Sequence, residues 1–514
     1  MKKMKVVIVG GGSSGWMTAA ALARFLSSQH YELIQIESAV IGTVGVGEAT
    51  IPHIRQFNQM LGIDENEFIR ATGATYKLAI QFDGWGAPDS RYMHPFGFSG
   101  HDINGINFHQ YWLHLNRFSQ VLPFDHFSVA AMAASQDKFQ YQHPDPDCLL
   151  AEYNYAFHLD ASLYADYLKA YAVKLGVKAI EGKVANVCLA SDSGNIDAVV
   201  LESAQRIEGD LFVDCSGFRG VLIEQTLKTG YQSWSHWLPC DRALAVPSEK
   251  MANPPSYTRA TAKKVGWQWR IPLQHRTGNG LVYCGQYLSD DEAQQILLDG
   301  LDRAVSGQPK LLRFSTGKRK LSWHKNCVAI GLSAGFLEPL ESTSLYLTQI
   351  AIQKLIEFFP ANGLCDIERD TFNQQLDNEY CRVRDFIILH YKINQRNDSD
   401  FWRDCRTMPV PDSLQEQMDL FARTGHIISY RQGLFVSPSW LAVYLGQGWL
   451  PEQYDARTSY CAMDKLQHYF QRHAEQIKQT VNNMQSHTVA IEHTQRTDVN
   501  QYPPAQLSLY GSRT

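Results

Sequence analysis

The feature that most restricts how this chain can fold is a β-branched strand running straight into glycines. "KVVIV" is followed by "GGGSSG" and the apolar helix "WMTAAALARFLSS", and Glu37 ends the next strand, "YELIQIE", 22 residues beyond Gly15. This is a βαβ unit carrying G-x-G-x-x-G at Gly10, Gly12 and Gly15. Gly10 permits the tight turn, Gly12 lets the backbone approach a pyrophosphate, and Gly15 lets helix and strand pack. The helix N-terminus, with Ser13 and Ser14 in its first turn, favours the negative charge. Glu37 is placed to accept from a ribose hydroxyl. The fingerprint therefore specifies a dinucleotide while leaving FAD and NAD open. The basic lead and apolar run also look like a secretory leader, but the glycines break the run.

Two later stretches narrow the cofactor. "GDLFVDCSGFRG" puts Asp214, Ser216 and Gly217 at the end of a buried strand, and "VAIGLSAGFLEPLEST" repeats the design with Gly331, Ala334 and Gly335 before a helix. Small residues let a flat ring and its phosphate arm pass close to the backbone. Either stretch alone is equally a tight crossover; with the fingerprint, both fit a bound FAD better than a mobile NAD.

At 514 residues, with 44% hydrophobic and 19% charged residues, the chain can bury a large core and should form two domains or one with an annex. A net charge of −5 without long basic runs argues against a nucleic-acid or anionic-membrane partner, and no apolar run reaches membrane-spanning length. The partner expected is a small molecule. The 10 cysteines show neither C-x-x-C nor zinc spacing, so no metal is expected and the compartment read is a reducing cytoplasm. Residues from about 85 to 160 are rich in His, Tyr, Phe and Trp without a clean period, which reads as irregular pocket wall. Beyond about 360 the pattern is mostly helical, and the last 30 residues read as a loose polar tail.

Four stretches together resemble the flavin-dependent tryptophan halogenases: "GGGSSGW" at Gly10 to Trp16, "GVGEATIP" at Gly45 to Pro52, "GWQWRIP" at Gly266 to Pro272, and "FLEPLEST" at Phe336 to Thr343. The third contains the W-x-W-x-I-P signature as Trp267, Trp269, Ile271 and Pro272. The resemblance covers roughly residues 5 to 350. It implies an α/β (α+β) fold: an FAD-binding dinucleotide-fold module of the flavin monooxygenase type over 1–360, and a mostly α-helical substrate-binding region with the tail over 361–514. Gly47, Glu48, Ala49, Asp214, Gly331 and Leu340 join the glycine turn as expected cofactor contacts.

The same resemblance places a catalytic lysine on Lys77 and a catalytic glutamate on Glu341. It implies that reduced FAD (FADH2), oxygen and a halide, chloride or bromide, give hypohalous acid, which is guided to Lys77 and halogenates an electron-rich ring. Glu341 then either raises the halogen's electrophilicity or takes the ring proton. On their own residues the pair is ambiguous. Lys77 lies among Tyr76, Leu78, Ile80 and Phe82, a setting that can desolvate an ammonium, yet it also reads as a snorkelling surface lysine. Glu341 reads equally as a carboxylate at a helix N-terminus. The halide is expected on the backbone amides of Thr343 and Ser344. Family members carry glycine where this chain has Ser344, which leaves halide preference open.

The substrate is expected against His94, Phe96 and Ser342, with Trp440 and Leu441 standing where enzymes for free tryptophan place a tyrosine pair that grips the amino acid. That departure points to an indole or another electron-rich aromatic, with tryptophan allowed. Trp267 and Trp269 read as core strand residues or as a wall between flavin and substrate. A separate NADH-dependent flavin reductase is expected to supply FADH2, and a homodimer is allowed. Two other functions stay open on the sequence: a flavin-dependent aromatic hydroxylase, and a flavin-binding protein without activity.

Overall fold

The computed structural model describes residues 3–38, 47–361, 363–430, 433–496, 502–506 and 508–511. The chain up to about residue 360 is built on a six-stranded sheet ordered Trp323–His324, Cys327–Ala329, Leu211–Asp214, Met4–Val9, Tyr31–Glu37 and Lys178–Glu181. All neighbours are parallel except the edge hairpin at Trp323–Ala329. Val6, Val7 and Ile8 are fully buried, as expected of a strand covered on both faces. The helix Ser13–Phe25 returns across the sheet with Gly15 through Leu22 buried.

A second sheet of seven strands carries the tryptophan signature near its middle. Its order is Lys310–Arg313, Arg242–Ser248, Thr277–Tyr283, Trp267–Pro272, Tyr257–Ala262, Ala79–Asp83 and Arg91–Pro95. Beside it, Gly47–Ala49, Ala156–Asp160 and Thr75–Lys77 form a small antiparallel sheet. Thus Lys77 ends one strand of the small sheet, and His94 lies on the edge strand of the large one.

The chain beyond 361 is mostly helical, with helices Asp366–Lys392, Asp400–Thr407, Asp412–Thr424, Ser437–Gly446, Met463–Asn482 and His487–Arg496. Among the described residues, no helix is long and apolar enough to cross a membrane.

Two expectations need correcting. The stretch 85–160 is more regular than its sequence suggested: it holds the strands Arg91–Pro95 and Ala156–Asp160 and the helices Phe108–Phe118 and Val129–Ser135. The helix Phe108–Phe118 is buried continuously from Phe108 to Leu115, histidines included, and a helix covered on all sides has no polar face to reveal its period. Nor is the described part of the tail loose. Pro503 accepts from Arg55 Nη2 at 2.7 Å, Ser508 accepts from Asn154 Nδ2 at 2.7 Å, and Leu509 and Tyr510 are buried. Isolated anchors without periodicity leave no readable pattern.

Candidate active site

The three small-residue turns meet at one edge of the six-stranded sheet. Val9 lies opposite Asp214 and Asp214 opposite Ala329, so the turns that follow these strands share the carboxyl ends, where open α/β sheets bind ligands. Gly10 has φ +131°, and a Cβ there would overlap the Cys215 carbonyl; one on Gly15 would overlap the Gly10 carbonyl. The helix at Ser13 has no side-chain cap from Gly12, which leaves its first amides for an anion. These residues fit the phosphate arm of a dinucleotide.

Several side chains expected at the cofactor are engaged within the protein. Ser13 Oγ donates to the Ala161 carbonyl at 3.1 Å, and Ser14 Oγ shares a hydrogen bond with Thr348 Oγ1 at 3.3 Å. A Cβ on Gly331, at φ +76°, would run into Ser14, so the glycine is what lets these turns close on each other. The Glu37 carboxylate accepts from Trp16 Nε1 at 3.2 Å and pairs with Lys169. Asp214 accepts from Ser216 N and Oγ with one oxygen, and from Leu222 N and Ile223 N with the other, all within 2.9 Å. Gly47 and Ala49 are buried in the small sheet, with Gly47 against Ile271. Burial pushes the Glu48 carboxyl up to about 7. Leu340 is buried in the turn Pro339–Glu341. Gly45 and Val46 of the second signature lie outside the described residues.

Trp267, Trp269, Ile271 and Pro272 are all buried on one strand. Trp267 Nε1 and the Tyr391 hydroxyl both donate to Glu338 Oε2, at 3.0 and 2.5 Å. Burial pushes Glu338 up to about 7.

Lys77 and Glu341 come together as the centre of a buried cluster. Lys77 is wholly buried, its Nζ donating to the Thr50 carbonyl at 2.9 Å and to Ser342 Oγ at 2.7 Å, with the Phe96 ring centroid 5.0 Å away. Desolvation drives its pKa down to about 7 against the partial support of Glu341. Ser342 adopts φ +59°, uncommon for a residue with a side chain, and this left-handed turn aims its hydroxyl at Lys77. Thr343 then precedes the helix Ser344–Glu357. Ser344 has no left-handed φ, so the serine is accommodated without the backbone freedom of glycine.

Glu341 is held by two histidines. His94 Nδ1 lies 2.8 Å from Oε2 and His390 Nε2 lies 2.7 Å from Oε1, all in side chains at most 1% exposed. Burial alone would raise the Glu341 pKa, but the two histidines outweigh it and hold the carboxyl at about 2. His94 reaches on through Nε2 to Ser439 Oγ at 2.7 Å, and Ser439 Oγ to the Tyr510 hydroxyl at 2.6 Å. Trp440 packs edge-on against Phe386, which stacks on Phe435, and its Nε1 donates to the Phe435 carbonyl at 3.2 Å; Leu441 is buried beside it.

His390, Ser439 and Tyr510 were not singled out in the sequence. They sit on helical and tail segments with no short motif, and only the approach of those segments to the turn at 339–341 marks them. Two open surface clefts, one lined by Asp83, Gly84 and Arg91, the other by Asn104, Tyr111 and Arg457, contain none of these residues.

Residues 5–465 match the model of the family described as tryptophan halogenase. The chain belongs to the tryptophan halogenase family.

This halogenase is 38% identical over 474 residues to the tryptophan 6-halogenase SttH of Streptomyces toxytricini, covering 86% of this chain and 89% of that one. Its fold matches BrvH, a flavin-dependent halogenase from Brevundimonas sp. BAL3, with a TM-score of 0.92 at 43% identity, over 96% of this chain and 99% of the other. It also matches Xcc4156, a flavin-dependent halogenase from Xanthomonas campestris, with a TM-score of 0.92 at 40% identity, over 98% and 100%. The protein is thus a flavin-dependent halogenase with a dinucleotide-fold module, which decides against the hydroxylase and the inactive flavin binder.

Proposed function

We propose that this halogenase delivers an electrophilic halogen from Lys77 to an indole or another electron-rich aromatic ring, with tryptophan among the substrates allowed. The observation that carries this reading is the burial of Lys77 beside a carboxylate that two histidines hold. FAD, when bound and reduced, supplies hypohalous acid from oxygen and chloride or bromide. The FADH2 comes from a separate NADH-dependent reductase.

The chain's own residues then act on that acid. A neutral Lys77 amine points its two N–H groups at Thr50 O and Ser342 Oγ and keeps its lone pair for the halogen: the N–X bond forms as the O–X bond breaks, and the hydroxide released takes one N–H proton to leave as water. As an ammonium it instead donates its third N–H to the oxygen of hypohalous acid. Either form fixes the halogen at one point of the ring, the basis of regioselectivity. The C–X bond forms, the N–X or O–X bond breaks with its electron pair left on the nitrogen or oxygen, and the ring proton ends on that atom, regenerating the amine or giving water, as aromaticity returns. Glu341 stabilises positive charge in this step, because an anion in a dry site acts strongly on charge that develops nearby. Thr343 and Ser344, at the start of the helix Ser344–Glu357, offer amides to the halide. Trp267 and Trp269 separate flavin from substrate.

The region 361–511 supplies the substrate wall with Phe386, Phe435 and Trp440, while His94 and Phe96 come from the opposite strand. Trp440 and Leu441 offer no free hydroxyl to an ammonium and carboxylate. SttH is named for tryptophan, and this wall favours a ring without that charged end. The test supplies FAD, a flavin reductase, NADH and bromide or chloride with a panel of indoles, phenols and tryptophan, and reads halogenated product by mass spectrometry. Lys77→Ala should bind FAD normally and lose product by at least about 100-fold; retention of native rate and regioselectivity would sink the role of Lys77.

A further inference from the structure

His390 carries a proton count that the rest of the site does not explain. It sits on the helix Asp366–Lys392, fully buried, with Nδ1 2.8 Å from the Phe386 carbonyl one turn back. A carbonyl oxygen only accepts, so Nδ1 carries hydrogen. The other nitrogen, Nε2, lies 2.7 Å from Glu341 Oε1. In a neutral ring that nitrogen is a lone pair 2.7 Å from a carboxylate lone pair. Two acceptors at that distance in a dry interior repel, and burial without a partner is costly. One proton must lie between them.

His94 does not share this constraint. Its Nε2 faces the Ser439 hydroxyl, which can donate to it, with Tyr510 donating to Ser439 in turn. A neutral His94 with hydrogen on Nδ1 therefore satisfies Glu341 Oε2 without any additional proton. The asymmetry singles out His390.

We propose that His390 is a positioning residue that works as an imidazolium against the Glu341 carboxylate, pinning Glu341 as an anion and partly offsetting its charge at Lys77. With Oε2 bonded to His94 Nδ1 and Oε1 in contact with the His390 ring at 2.7 Å, Glu341 is a poor base for the ring proton. Desolvation lowers the Lys77 pKa while the Glu341 charge raises it, so an imidazolium that offsets this charge acts in the same direction as desolvation. The titratable groups facing this pair are Lys77 from the small sheet, His94 and Tyr92 from the edge strand and Tyr510 from the tail.

The inference rests on the proposed roles of Lys77 and Glu341, and its experiment separates the two. Neutron diffraction of the deuterated enzyme at pH 7.5 should show deuterium on both His390 nitrogens and none on Glu341. A deuteron on Glu341, or a singly labelled His390 ring, overturns the proposal whatever Lys77→Ala does. In turnover, His390→Gln keeps an N–H near Glu341 but not the charge. It should bind FAD as the wild type does, lower kcat about 10-fold with little change in KM, and move the rising limb of the pH–rate profile up by about one unit. An unmoved limb in this folded variant overturns the proposal; if the variant does not fold, the neutron result decides alone.

Discussion

The proposed cofactor edge and the proposed reaction centre are built on opposite plans. At the edge, the first turn, helix and flanking strands come from residues 4–37, and much of what matters is backbone: a turn that tolerates no Cβ at Gly10 and Gly15, and an uncapped helix start. At the centre, Thr50, Lys77, His94, Glu341, His390, Ser439 and Tyr510 arrive from seven separate segments, and what matters is which charges face one another. A backbone cradle can be made locally because glycine's freedom is a property of one residue. A buried lysine beside a carboxylate cannot, since each charge is tolerable only when distant segments supply its partners.

That contrast is breakable at either end. The largest effect is expected at the cradle. Gly15→Val drives a side chain into the Gly10 carbonyl and should weaken FAD binding by about 100-fold or more, on the order of 3 kcal/mol of overpacking. The nitrogen NMR signals of His94 and His390 should stay in place; if they shift as well, the two regions are one cooperative unit and the contrast fails.

A smaller effect is expected in stability at the centre. Burial lowers the Lys77 pKa from 10.5 to about 7, so between those values the unfolded chain binds a proton the native state lacks. Wild-type stability attributable to Lys77 is therefore lowest at and below about pH 7 and rises toward 10.5. Lys77→Met should remove that slope and gain about 2 kcal/mol at pH 6.5, shrinking as pH rises, read from chemical denaturation at several pH values. No gain at pH 6.5 would mean that Thr50 and Ser342 compensate the buried ammonium.

The smallest effect is expected from the tail. Tyr510→Phe removes the hydroxyl behind Ser439 and His94, at a cost of about 1 kcal/mol, and should slow halogenation about threefold while leaving FAD affinity alone. An unchanged rate would confine the working centre to Glu341 and its two histidines.

Much of the architecture was legible because it repeats short-range rules. The βαβ unit, the small-residue strand ends and the helical region beyond 361 follow from hydrophobic period and glycine placement. The reaction centre was legible only in part. Lys77 and Glu341 were marked by the motifs around them, while their own neighbours allowed a surface lysine and a helix-end carboxylate. The helix Phe108–Phe118 and the tail anchors were hidden because burial on every side, or at single residues, leaves no period.

The sequence by itself determined the dinucleotide module and the family signatures, since both reside in runs of adjacent residues whose backbone choices are few. Only the tertiary structure decided that Lys77 is wholly buried, that Ser342 turns left-handed to meet it, and that His94 and His390 close on Glu341 from a strand and a helix. Those are facts of desolvation and charge pairing, and they exist only where segments remote in the chain exclude water together.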